Sequence, residues 1–81
     1  MLSFEYIPDD EVLELHGDVE GLEKLRGDID NIIKVTKDGG FEHTHLLIPE
    51  WGGGETLSGD KMNTDDSVKL IPHVKIVCWK K

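Results

Sequence analysis

One stretch with apolar residues at the helical period lies between two stretches in which apolar and polar residues alternate. That single switch of period confines the chain to a mixed α+β fold. Leu22, Leu25, Ile29, Ile32 and Ile33 form one stripe, the spacing of an amphipathic helix from Val19 to about Lys34. Asp18 is placed to cap its start, and Asp38-Gly39-Gly40 provides its stop. Leu2, Phe4 and Tyr6 alternate with Ser3, Glu5 and Ile7, and alternation resumes from Glu11 to His16 after the turn signal Pro8-Asp9-Asp10. Phe41 to Ile48 alternates again, and Val68 to Trp79 is a last strand interrupted at Pro72. The expected order is ββαββ: an α+β domain with a four-stranded, mostly antiparallel sheet and one helix packed on one face. With 81 residues, it is a single domain, 1–81. Its core is modest, since a chain of this size buries only about 60% to 65% of its unfolded surface.

Charge is concentrated at one end. Residues 1–30 carry ten acids against Lys24 and Arg26, whereas the seven acids and seven bases of the remainder cancel, so the whole formal charge of -8 resides in the first 30 residues. Such a half is repelled by nucleic acid and by anionic membranes and attracted to a basic protein surface. Glu20, Glu23 and Asp30 fall on the polar side of the expected helix and make an acidic face. No apolar run approaches the ~20 residues needed to span a bilayer. The lone Cys78 allows no internal disulfide and suits a reducing compartment. Met1 to Pro8 carries Glu5 and no basic cluster, unlike a secretory leader. The expected location is cytoplasmic.

The segment from His43 to Leu57, HTHLLIPEWGGGETL, is unlike an ordinary small core. Strand parity puts His43 and His45 with His16 and His73 on the side of the sheet away from the helix, beside Phe41, Leu47, Val77 and Trp79. Histidines two apart on a strand suit a metal site, but no cysteine pair or HExxH motif supports them, and the expectation is no metal and no cofactor. Protonation of four exposed histidines near pH 6 would move the charge toward -4 and weaken attraction to a basic partner. Trp51 reads either as a lid folded over the core or as an exposed aromatic anchor beside Glu55. Catalysis finds little footing. Cys78 lies in an apolar strand, Ser58 and Ser67 lack an elbow motif, and Gly52-Gly53-Gly54 lacks the Lys and Ser/Thr of a phosphate loop. The chain therefore reads as a binding protein and not as an enzyme.

His16-Gly17-Asp18 with Gly21-Leu22, His43-x-His45-Leu46, Pro49-Glu50-Trp51-Gly52-Gly53 with Glu55 and Leu57, and the closing His73-Val74-Lys75-Ile76 together resemble the bacterial immunity proteins grouped as immunity protein 32. The resemblance spans nearly the whole chain, with Gly54 as an extra glycine before the glutamate. It implies a cytosolic antidote of a polymorphic toxin system, which binds a toxin domain and blocks it. The candidate contact residues are then His43, His45, Glu50, Trp51, Gly52, Gly53 and Glu55, with the acidic face at Glu20, Glu23 and Asp30, and the partner is a protein such as a basic toxin domain. Two other readings stand beside it: a small metal- or ligand-binding domain built on His43 and His45, and a homodimeric module pairing through the histidine face or an edge strand.

Overall fold

The computed structural model describes residues 1–51 and 57–81. Strands β1 (Leu2–Ile7) and β2 (Val12–Gly17) are followed by helix α1 (Val19–Gly39), then strand β3 (Phe41–Leu47), a short 3-10 turn (Pro49–Trp51), and strands β4 (Lys69–Leu70) and β5 (His73–Trp79). The fold is α+β, all strand pairs are antiparallel, and the ββαββ order is the one that the period of the sequence predicts. The last strand, however, is divided. β4 pairs with β1 and β5 pairs with β3, so the hydrogen-bonded ladders are β2-β1-β4 and β3-β5 instead of one continuous four-stranded sheet. The break falls at Pro72, which has no N–H to continue a ladder. Ile71 N still donates to Phe4 O at 2.8 Å, while Pro72 O accepts from Ile48 N at 3.0 Å, so adjacent residues face different neighbours. Leu57 N to Leu47 O (3.1 Å) and Ser58 N to Leu2 O (2.8 Å) tie β3 back to β1.

α1 runs further than the apolar stripe alone suggests, up to the glycine stop. Asp18 caps its start by accepting from Gly21 N at 2.7 Å, and Gly40, with φ 84°, ends it in the left-handed conformation with its N–H on Thr36 O. The helix lies chiefly over β3 and β5 and reaches β2 mainly at Gly17, where an added Cβ would sit 2.8 Å from Leu22. Leu2, Phe4, Leu25, Leu46, Ile48 and Leu57 form the buried core, with Leu70, Ile71, Val74 and Ile76 packed against it.

The expected cover of the sheet is incomplete. The buried line on α1 runs through Leu25, Ile32 and Thr36, along one side of the apolar stripe, so Leu22, Ile29 and Ile33 remain more than a third exposed. Leu13 and Leu15, on the opposite parity to His16 and so on the helix side of the sheet, are also exposed, because α1 is displaced toward the β3-β5 pair.

The β1–β2 turn contains one strained residue. Glu11 has φ 54°, the left-handed region that costs a side-chain-bearing residue about 1 kcal/mol. Glu11→Gly is accordingly expected to raise stability by about 0.5–1 kcal/mol, measured by urea unfolding, with no change in the urea m-value.

Candidate functional site

On the outer face of the β3-β5 pair, register alone brings aromatic side chains into line. Phe41 pairs with Trp79, His43 with Val77, His45 with Lys75 and Leu47 with His73. Ring centroids are 4.9 Å apart for Phe41 and Trp79, 5.8 Å for Phe41 and His43, 5.1 Å for His43 and His45, and 4.9 Å for His45 and His73. Five rings thus form one continuous strip. α1 covers the opposite face of these strands, which leaves Trp79 69% exposed and Phe41 exposed beside it.

The histidines of the strip are coupled. His45 Nδ1 lies 2.6 Å from His73 Nε2, so one ring donates and the other accepts. Partial burial, then the neighbouring His73, His43 and Lys75, hold His45 below the ordinary imidazole range.

His16 belongs to a different cluster. Parity does place it away from the helix, but the segment around Met62 and Asn63 covers that face of β1 and β2. Glu5, wholly buried in the middle of β1, accepts from Ser3 Oγ (2.6 Å) and Met62 N (2.8 Å) on one oxygen and from Asn63 N (2.9 Å) on the other. His16 Nε2 is 2.9 Å from Glu14 Oε1 and 3.9 Å from Glu5 Oε1, and Asn63 Nδ2 donates to Glu14 at 3.3 Å. Burial alone would push the Glu5 carboxyl up. The hydrogen bonds from Ser3, Met62 and Asn63, with the His16 charge, outweigh it and hold the group below its ordinary range. Glu14 raises His16 chiefly through their hydrogen bond, and His16 lowers Glu14 in return.

Glu5, Glu14 and His16 bring their ligand atoms within 4.8 Å of one another, the spacing of a cation site. Their hydrogen bonds argue for another role. Three donors engage the two Glu5 oxygens, and His16 Nε2 lies 2.9 Å from Glu14 Oε1, so a cation at this spot would compete with bonds already made. The cluster is a clamp that fastens Met62 and Asn63 across β1.

The remaining sequence candidates are scattered. Glu50 and Trp51 are exposed on the turn that follows β3, and Trp51 is 58% exposed, so its indole does not fold over the core as a lid; Leu57 and Ile48 fill that place. Gly52, Gly53, Gly54 and Glu55 lie outside the described residues. Glu20, Glu23 and Asp30 are exposed on α1, with Glu23 3.6 Å from Arg26, and do not join the face that carries His43 and His45. Phe41 and Trp79, at opposite ends of the chain segment that joins β3 to β5, enter the strip through the antiparallel register of these strands, a signal visible in the sequence only as parity. Compared with protein-family models, curated proteins and solved structures, the chain matches none. Among the described residues no helix is long and apolar enough to cross a membrane.

Proposed function

We propose that this protein is a non-catalytic binding protein of the immunity type, which neutralises a toxin domain by occupying its surface. The observation that carries the reading is the exposed strip Trp79-Phe41-His43-His45-His73 on the helix-free face. Exposed Trp and Phe side chains on a rigid pair of strands supply large contact area at small entropic cost, and a tryptophan at the centre of an interface is a frequent energetic anchor. The concentration of charge in residues 1–30 favours a basic target and fast, salt-sensitive association.

Affinity capture from the source organism, followed by titration of the captured domain, tests this. A basic domain whose activity this protein blocks is the expected catch, and recovery of the protein's own copies alone would overturn the reading. Trp79→Ala is expected to weaken binding by about 30-fold or more, the scale of an interface anchor, without loss of folded structure by circular dichroism.

A further inference from the structure

The two outer edges of the strands are treated very differently. On β3, Ile48 N bonds to Pro72 O and Lys80 N to Gly40 O, so the even-numbered residues face β5 and the odd-numbered ones face outward. That outward edge is blunted: Glu42 Oε1 accepts from His43 N at 2.9 Å, and Leu57 N occupies Leu47 O. On β2, Asp18 N bonds to Met1 O, which fixes the phase of the β1-β2 ladder. By that phase Leu13 and Leu15 direct their N–H and C=O groups away from β1, and among the described residues no strand pairs with them.

The same two residues carry exposed apolar side chains, Leu13 being 59% exposed. They pair with Tyr6 and Phe4, and a mainly apolar groove lined by Phe4, Tyr6, Leu13, Ile71, His73 and Val74 opens beside them. On the helix, Leu22 touches Gly17 at the end of β2, and Ile29 and Ile33 continue its line at i+7 and i+11. An unpaired edge and an apolar shelf are therefore presented together, the combination that binds an added strand.

Charge selects the occupant. Asp9, Asp10 and Glu11 stand at one end of β2, and at the other Glu20 lies near Asp18, whose own charge is paired with the Met1 ammonium at 2.6 Å. Antiparallel pairing of two copies along this edge would set the first group of one chain beside the second group of the other, and a parallel pairing would align each group with itself. Like charges oppose both. Of the two bases in this half, Arg26 is already engaged by Glu23.

We infer that the outer edge of β2 is a docking site for an extended basic segment of a partner protein, which adds as a strand with apolar side chains over Leu13 and Leu15 and Lys or Arg against the acids at either end. The groove meets the ring strip at His73, which lines the one and ends the other, whereas Phe41 and Trp79 lie at the far end of the strip.

The probe is a blocked seven-residue peptide alternating lysine and valine, with a glutamate-valine peptide of the same length as control, added to the isotope-labelled protein. The expected result is saturable shifts and slowed amide exchange at Leu13 and Leu15 with the basic peptide only, weakening at least tenfold between low and physiological salt. Leu13→Lys should weaken binding at least tenfold, and Leu15→Pro, which removes an outward donor at an edge position, should do the same if it folds. Trp79→Ala should leave this binding unchanged, which separates the β2 site from the proposed function of the strip. Equal binding of the acidic peptide, shifts confined to β3 and β5, or self-association in sedimentation that Leu13→Lys abolishes would each overturn the assignment.

Discussion

Glu5→Gln is expected to destabilise the protein by about 3 kcal/mol and to release Met62 and Asn63 from β1. Both oxygens of the buried carboxylate receive backbone N–H groups, from Met62 on one side and Asn63 on the other. An amide can offer only one oxygen. Whichever way the glutamine turns, its NH2 group meets a backbone N–H and leaves a buried donor without a partner, at about 1–3 kcal/mol, while the bonds that remain lose their charge. Ser3→Ala, which removes one donor and leaves the carboxylate otherwise held, should cost only about 1 kcal/mol. Urea unfolding measures both. Hydrogen exchange at Met62 and Asn63 distinguishes a released clamp from a general loss of stability, and unchanged protection there would refute the role given to Glu5.

The same cluster sets the dependence of stability on pH. Glu5 titrates below its ordinary value of 4.5 in the folded protein. Its contribution is therefore complete above that value and disappears as pH falls through the lower, folded one. His16 is raised above its ordinary 6.5, so its contribution is complete below that value and is lost as pH rises through the folded one. Both are present together between about pH 4.5 and 6.5. Melting temperature from this cluster should accordingly pass through a maximum in that window, and Glu5→Gln should flatten its acid side.

Leu46→Ala is the second large effect, expected at about 2–5 kcal/mol by calorimetry or urea unfolding. Leu46 is 1% exposed in β3 and shares the core with Leu2, Phe4, Leu25, Ile48 and Leu57. Those contacts come from β1, from α1, from Ile48 just after β3 and from the segment beyond the turn, which leaves the walls little freedom to collapse into the space. In a domain of this size each kcal/mol corresponds to roughly 4–8 °C in melting temperature. Leu13→Ala removes as many atoms from a side chain that is mostly in water and should stay within about 0.5 kcal/mol of the parent. Equal costs at the two positions would contradict the placement of the core on the β3 side of the helix.

Much of the architecture was legible because it rests on local periods. The 3.6-residue stripe, the Asp18 cap and the Gly39-Gly40 stop specify α1, and alternation specifies the strands and which side chains share a face. Parity put His43, His45, His73, Phe41 and Trp79 on one surface, where the register of β3 and β5 joins them into a strip. The grouping of all four histidines into one titrating set did not follow. His16 is drawn up by Glu14 and His45 is held down by partial burial and its neighbours, so the two shift in opposite directions from the ordinary imidazole value.

The sequence by itself determined the element order, the capped helix, the acidic half and the face on which each strand residue lies, because these depend on residues a few positions apart. Only the tertiary structure decided three other matters. It split the last strand between two partners at Pro72, shifted α1 so that Leu13 and Leu15 stayed exposed, and carried Met62 and Asn63 onto the carboxylate of Glu5. Each of these depends on where distant segments come to rest. A buried glutamate in an alternating strand looks like any solvated one until the segment that supplies its donors, 57 and 58 residues away in the chain, is folded over it.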